Sequence, residues 1–232
     1  MKHKQSVLRT VGRWVVLVAL WAVVAPPVVV LVYRFVPVPI TSLMVIRLFE
    51  GQELHKDWVP LSRISPKLVQ AVIASEDAKF CTHHGFDVEA IEKALDHNRK
   101  GRKLKGGSTI TQQTAKNAVL WPQRSWVRKG LEAYVTMLME GLWPKKRIME
   151  VYLNVIEWAP GVYGAEAAAQ HHFGHSAKTL NNREAARLAA VLPRPLKWNA
   201  GKPGPYVSSR AGTIQARMRV IRNEGLARCA QP

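Results

Sequence analysis

Apolar and polar residues along the chain change rhythm near residue 34. Residues 14–33, WVVLVALWAVVAPPVVVLVY, carry no charge. At about 1.5 Å rise per residue such a run is long enough to cross the hydrocarbon core of a bilayer. A cleavable signal has an apolar region of only about 7–15 residues, so the pattern predicts an uncleaved signal anchor. Pro26 and Pro27 fall inside it, where a kink or a shortened span is expected. Lys2, Lys4, Arg9 and Arg13 precede the run and Arg34 alone follows it, which keeps the N-terminus cytoplasmic and turns the remainder outward. A buried core helix is the alternative, and such helices rarely stay uncharged for so long.

Beyond the anchor the period becomes helical. Residues 36–40 form a proline-punctuated exit, and the apolar run 43–49 fits either a strand or an interfacial segment. Ser65-Pro66 reads as a cap with proline at the first helical position, followed by the apolar face Leu68, Val69, Val72 and Ile73. A basic, glycine-containing loop at 98–107 leads to the polar segment 108–117. A long helix is predicted over 125–143, with Leu131, Tyr134, Val135, Leu138 and Leu142 inward. Pro144 marks a joint, and 145–155 starts another helical pattern. Residues 165–170 are alanine-rich. Asn181 and Glu184 make a capping box ahead of 185–192, Pro193 and Pro195 end that helix, and 209–224 is a final basic amphipathic helix. The pattern divides the chain into a cytoplasmic basic N-terminus (1–13), a transmembrane segment (14–33), a juxtamembrane connector (34–57) and one all-α domain (58–232).

Charge adds a constraint on partners. The 232 residues hold 34 lysines and arginines against 16 acids, a formal charge of +18, which calls for nucleic acid, an anionic membrane surface or a phosphorylated substrate. The membrane segment favours the last two. The two cysteines, Cys81 and Cys229, could pair in an oxidising compartment, but their spacing does not demand it. No Cys/His pattern has metal-ligand spacing. His171 and His175 are separated by Gly174, and the adjacent His83 and His84 would point apart on a helix.

On a helical wheel, Leu68, Val69, Val72 and Ile73 cover roughly a 140° arc, and Glu76 falls near its middle. A carboxylate there is costly unless paired or protonated, and burial raises its pKa toward the range general acid–base chemistry uses. A glutamate at a helix end whose head escapes to solvent is the equal alternative from position alone. Glu76 opens EDAKFCTHHG. About thirty residues later, GGSTITQQTAKN supplies glycines, hydroxyls and amides suited to anionic oxygens, with Lys116 as a cation. It is not a P-loop, since no GK[ST] follows. In RSWVRKGLE, Arg124, Arg128 and Lys129 surround Glu132. That cluster reads as a surface ion pair worth a few tenths of a kcal/mol, or as a carboxylate set among cations that bind a diphosphate.

Taken in order, EDxxFxxHxG at 76–85, GxSTITQQxxKN at 106–117, RKxxE at 128–132 and KxxIxExYLN at 145–154 resemble the peptidoglycan glycosyltransferase family, glycosyltransferase family 51, and in particular its monofunctional biosynthetic members. The likeness runs over nearly all of the chain after the anchor. It implies a lysozyme-like, mainly helical domain and a hexosyltransferase that polymerises lipid II into β-1,4-linked glycan, with inversion and release of undecaprenyl diphosphate. By resemblance Glu76 is the base and Glu132 assists the diphosphate side. Ser108, Gln112, Lys116, Arg124 and Lys129 contact phosphate, with Arg128 beside them. The motifs further bring Asp77, Phe80, His83, Thr109, Gln113, Asn117 and Asn154 to the substrate site. A divalent cation, Mg²⁺ or Mn²⁺, would sit mainly on the substrate diphosphate; no metal ligand is assigned and no organic cofactor is expected.

The resemblance also implies membrane lipids, the lipid-linked glycan chain and the cell-wall synthesis machinery as partners, and no nucleic acid. It places the catalytic domain on the periplasmic side of the inner membrane, held by one pass. The chain departs from the family at His172-Phe173-Gly174-His175, where Tyr-Phe-Gly-Lys is common. No SxxK occurs, so no transpeptidase is expected. Ala118, Val119, Leu120, Trp121 and Trp126, beside Arg124 and Arg128, read either as an interfacial patch or as ordinary core packing. Two other readings compete. A lytic transglycosylase would need no phosphate pocket, and a basic membrane-tethered binding protein would leave Glu76 unexplained.

Overall fold

The computed structural model describes residues 2–99 and 106–231. Most of the basic loop expected at 98–107 therefore lies outside the described residues, as do the side chains of Lys2, Lys4 and Arg9. The uncharged run is helical: α1 (Lys2–Tyr33) continues through Pro26 and Pro27. Pro27 offers no N–H to the carbonyl of Val23. The Tyr134 hydroxyl donates to that carbonyl instead, at 3.0 Å. The Trp143 indole N–H donates to Val30 O at 2.8 Å. Arg147 donates to Tyr33 O at 2.8 Å and to Val36 O at 2.7 Å, satisfying carbonyls that a helix end leaves unpaired. The second half of α1 is thus fastened to the rest of the chain. Trp14, Val16, Leu17, Leu20 and Trp21, which precede those contacts, are exposed. Among the described residues no helix is long and apolar enough to cross a membrane. Val15, Val18 and Ala19, whose side chains lie outside that set, belong to the run on which the expected span rests.

The connector is structured. Its apolar run forms a helix, α2 (Ser42–Phe49), capped by the Thr41 hydroxyl, and Arg47 on it reaches the buried Glu157 at 3.4 Å. Strand β1 (His55–Lys56) then pairs in parallel with β3 (Val162–Tyr163), which pairs antiparallel with β2 (Glu157–Ala159). The folded domain therefore starts before residue 58. The expected all-α class gains a three-stranded sheet, ordered β1-β3-β2. Gly161 makes the β2–β3 turn with φ +70°, and a Cβ there would lie 2.0 Å from Glu53 O, so glycine is needed twice over.

The core is helical. Helix α3 (Pro66–Glu76) has every residue from Leu68 to Ala74 buried, because it runs between α9 (Asn182–Val191) and α10 (Pro205–Asn223). Four helices, α4 (Val88–Arg99), α5 (Ile110–Val119), α6 (Trp126–Leu142) and α7 (Lys145–Val155), follow α3, and α8 (Ala165–Phe173) precedes α9. The capping box at Asn181 and Glu184 is present. Helix α10 begins at Pro205, earlier than the expected 209, with Pro in its first turn. Cys81 and Cys229, left open by the sequence, form a disulfide that ties the segment after α3 to the C-terminal turn.

Candidate active site

Glu76 is the last residue of α3, and 16% of its side chain is exposed. Burial pushes its pKa up; the Gln113 amide, Arg210 and Ser75 partly offset this. Gln113 Nε2 donates to Glu76 Oε2 at 3.1 Å, and Arg210 Nη2 lies 3.9 Å from Oε1. The carboxylate is thus approached from α5 on one oxygen and from α10 on the other.

Glu132 sits in the opposite setting. Ser125 caps α6 by accepting from Arg128 N–H, which starts the helix so that Arg128, Lys129 and Glu132 share one face. Glu132 is buried and ion-paired with both Arg128 and Lys129. Beside it opens a cavity of about 510 Å³ that carries Ser108, Gln112, Gln113, Lys116 and Arg124 as well as these three residues. Four cations therefore face one acid. Burial lowers the pKa of Lys116, and Arg128, Arg124 and Lys129 lower it further against the opposing pull of Glu132. The cavity is short of negative charge.

The motif residues divide between the cavity and its supports. Asp77 Oδ2 accepts from Ile110 N–H at 3.0 Å, a carboxylate on the N-terminus of α5. His83 Nε2 lies 2.9 Å from Asp77 Oδ1, and its Nδ1 accepts from Gly85 N–H at 3.1 Å. That network makes Nε2 the donor to Asp77. Thr109 caps α5 in a box with Gln112 and donates to Gly85 O at 2.6 Å. Gly85 has φ +87°, and a Cβ there would lie 2.7 Å from Thr136 Cγ2, so its backbone can press against α6. Phe80 is wholly buried, and Asn154, also wholly buried, holds Val59 through both its N–H and its carbonyl.

Asp77, Phe80, His83, Thr109 and Asn154 are not among the residues lining this cavity; Asp77, His83 and Thr109 link the segment after α3 to the start of α5, and Asn154 ties α7 to Val59. Asn117 lines a smaller cavity of about 200 Å³ with Gln113, Lys116 and Tyr152. Arg210 was missed by sequence reasoning. It lies 134 positions beyond Glu76 on a helix that reads only as basic, and no local pattern signals the contact. Among the described residues, no group of three or more His, Cys, Asp or Glu is placed to hold a metal ion. His175 contacts Glu184 at 3.1 Å, not His171.

The helical domain thus holds one desolvated carboxylate, Glu76, and a second, Glu132, set among four cations. Residues 43–219 match the Transglycosylase family. The chain is 58% identical over 207 residues to the biosynthetic peptidoglycan transglycosylase of Caulobacter vibrioides, covering 89% of this chain and 90% of that one. It is 56% identical over 198 residues to the protein of the same description from Rhodospirillum centenum, covering 85% and 86%. With that from Pseudomonas aeruginosa it shares 51% over 217 residues, covering 91% and 94%. The chain belongs to the transglycosylase family and is a peptidoglycan glycosyltransferase.

Proposed function

We propose that the protein polymerises lipid II at the outer face of the cytoplasmic membrane. Glu76 Oε takes the proton from the 4-hydroxyl of the acceptor sugar as its oxygen attacks C1 of the donor. The bond from C1 to the diphosphate oxygen breaks, configuration inverts, and undecaprenyl diphosphate leaves with its charge on Lys116, Arg124, Arg128 and Lys129. The supporting observation is the division of labour between the two carboxylates: Glu76 is desolvated with one amide and one distant cation, whereas Glu132 stands in the cationic cavity. Fixed cations at the developing charge are the electrostatic half of the catalysis. A divalent ion, when bound to the substrate diphosphate, would add Lewis-acid stabilisation; Glu132 is the carboxylate beside that position.

The membrane reading has three supports. The 20-residue uncharged run of α1 is preceded by four cations. The disulfide suits an oxidising compartment. Large apolar side chains outside α1 are exposed, with Phe49, Trp126 and Val127 exposed by 89%, 92% and 73%. Val23 meets Tyr134 and Val30 meets Trp143, so α1 and α6 advance in the same direction.

The test is incubation of the full chain with lipid II and Mg²⁺ in detergent or vesicles. Glycan polymer from the native protein and none from Glu76→Gln is the expected result. Cleavage of preformed glycan, or binding without turnover, would overturn the proposal.

A further inference from the structure

We propose that Tyr152 is a positioning residue that acts through the Gln113 amide to hold Glu76 in the ionised, proton-accepting form. The motif containing Tyr152 reads from sequence as helix scaffold, and nothing in the mechanism above uses it. The inference rests on Glu76 being the base.

The geometry is a chain of three groups on three helices. The Tyr152 hydroxyl of α7 donates to Gln113 Oε1 of α5 at 3.3 Å, and Gln113 Nε2 donates to Glu76 Oε2 of α3 at 3.1 Å. An amide can stand in either of two orientations, and each selects a protonation state of the carboxyl group it faces. With its NH₂ toward Glu76, the amide stabilises the carboxylate. Turned over, it would present its carbonyl to Glu76 and could bond only to the protonated acid. The turned amide would also place NH₂ against the Tyr152 oxygen, leaving the phenolic hydrogen without this acceptor. Tyr152 is wholly buried, and a buried donor that loses its acceptor is costly. The phenol therefore selects the orientation that favours the carboxylate.

Burial also raises the Tyr152 pKa well above its ordinary value, which keeps the phenol a donor wherever the enzyme works. Other groups reach Glu76 without orienting the amide. Arg210 of α10 stands 3.9 Å from the other oxygen. Ser75 is adjacent in sequence, and Asp77 is committed to His83 and the α5 N-terminus.

The test is polymerisation by full-length Tyr152→Phe, which removes one oxygen and keeps the ring, measured from pH 4.5 to 9. The acid limb of kcat should move up by about half to one pH unit, as expected for one lost hydrogen bond. Activity should fall several-fold on the acid side, approach the native rate at high pH, and show KM within about two-fold of native. A limb that overlays the native one, or a loss uniform with pH, would overturn the proposal. On a Gln113→Leu background Tyr152→Phe should add no further shift; a full shift there would show that the amide is not the route.

A second measurement needs no variant at position 152. The ¹⁵N-labelled side-chain amide of Gln113 in the native protein should titrate with the midpoint of the acid limb. An amide signal flat across that range would contradict the proposal. Native-like polymerisation by Glu76→Gln would defeat the assignment of the base itself, whatever Tyr152→Phe does.

Discussion

The two glutamates of this site share a side chain and little else. Glu76 ends a helix packed into the core, with an amide on one oxygen and an arginine 3.9 Å from the other. Glu132 lies on a helix face shared with Arg128 and Lys129 and is ion-paired to both. Desolvation dominates the first setting and neighbouring charge the second, so one carboxylate is raised toward proton transfer while the other partly balances a cationic cavity. The contrast shows how one residue type serves two roles when the surrounding helices differ.

The contrast can be broken from either side. Glu76→Gln should reduce polymerisation by about 10²–10⁴-fold, the range general-base removal gives. It should not destabilise the fold at neutral pH. A folded-state pKa above the unfolded one contributes stability below the unfolded pKa, and that contribution is lost as pH rises through the folded pKa. Relieving the desolvated charge should therefore raise Tm at pH 7.5 relative to native, with the gain vanishing near pH 4. A lower Tm at both pH values would mean that Glu76 is a structural ion-pair partner.

Glu132→Gln is expected to cost about 10²-fold in kcat and, unlike Glu76→Gln, to lower Tm, because Arg128 is left buried among cations. Stability equal to native by calorimetry would remove the claimed difference between the two settings. Arg210→Ala should have a smaller effect, several-fold at the acid edge. Arg210 pulls the Glu76 pKa down, so its loss should move the acid limb to higher pH; movement to lower pH would reverse its assigned role. The smallest effect on chemistry should come from Asp77→Asn, which weakens the link between α3 and α5. About 1–3 kcal/mol of stability should go, with kcat near native at temperatures where the variant is folded. Urea titration and a rate measurement on the same sample check both parts.

Much of the scaffold was legible in the sequence because local chemistry decides it. Ser65-Pro66 starts α3, the Asn181–Glu184 box starts α9, and Pro144 separates α6 from α7. The inward face of α6 was less so. Val135 is buried as expected, but Arg128, Glu132, Thr136 and Met139 share that buried face, while Leu131, Tyr134, Leu138 and Leu142 are only partly covered. An apolar periodicity cannot locate a buried polar face.

The connector was misjudged for a different reason. Strand β1 is two residues long and pairs with residues more than a hundred positions away, so its partner, not its own pattern, determines it. The cationic cavity could be read from local motifs, since Lys116, Arg124, Arg128 and Lys129 lie within 14 positions of one another. Arg210 and the paired cysteines, which meet only through tertiary packing, could not.

The most direct measurement is the pH dependence of kcat for the native full-length protein with lipid II under saturating conditions. A base must be ionised to accept a proton, so kcat should rise with pH through the pKa of Glu76. Burial should place the midpoint of that rise above the ordinary glutamate value of 4.5. An acid limb near pH 4, or one unchanged in whatever activity Glu76→Gln retains, would contradict the assignment of Glu76 as the desolvated base.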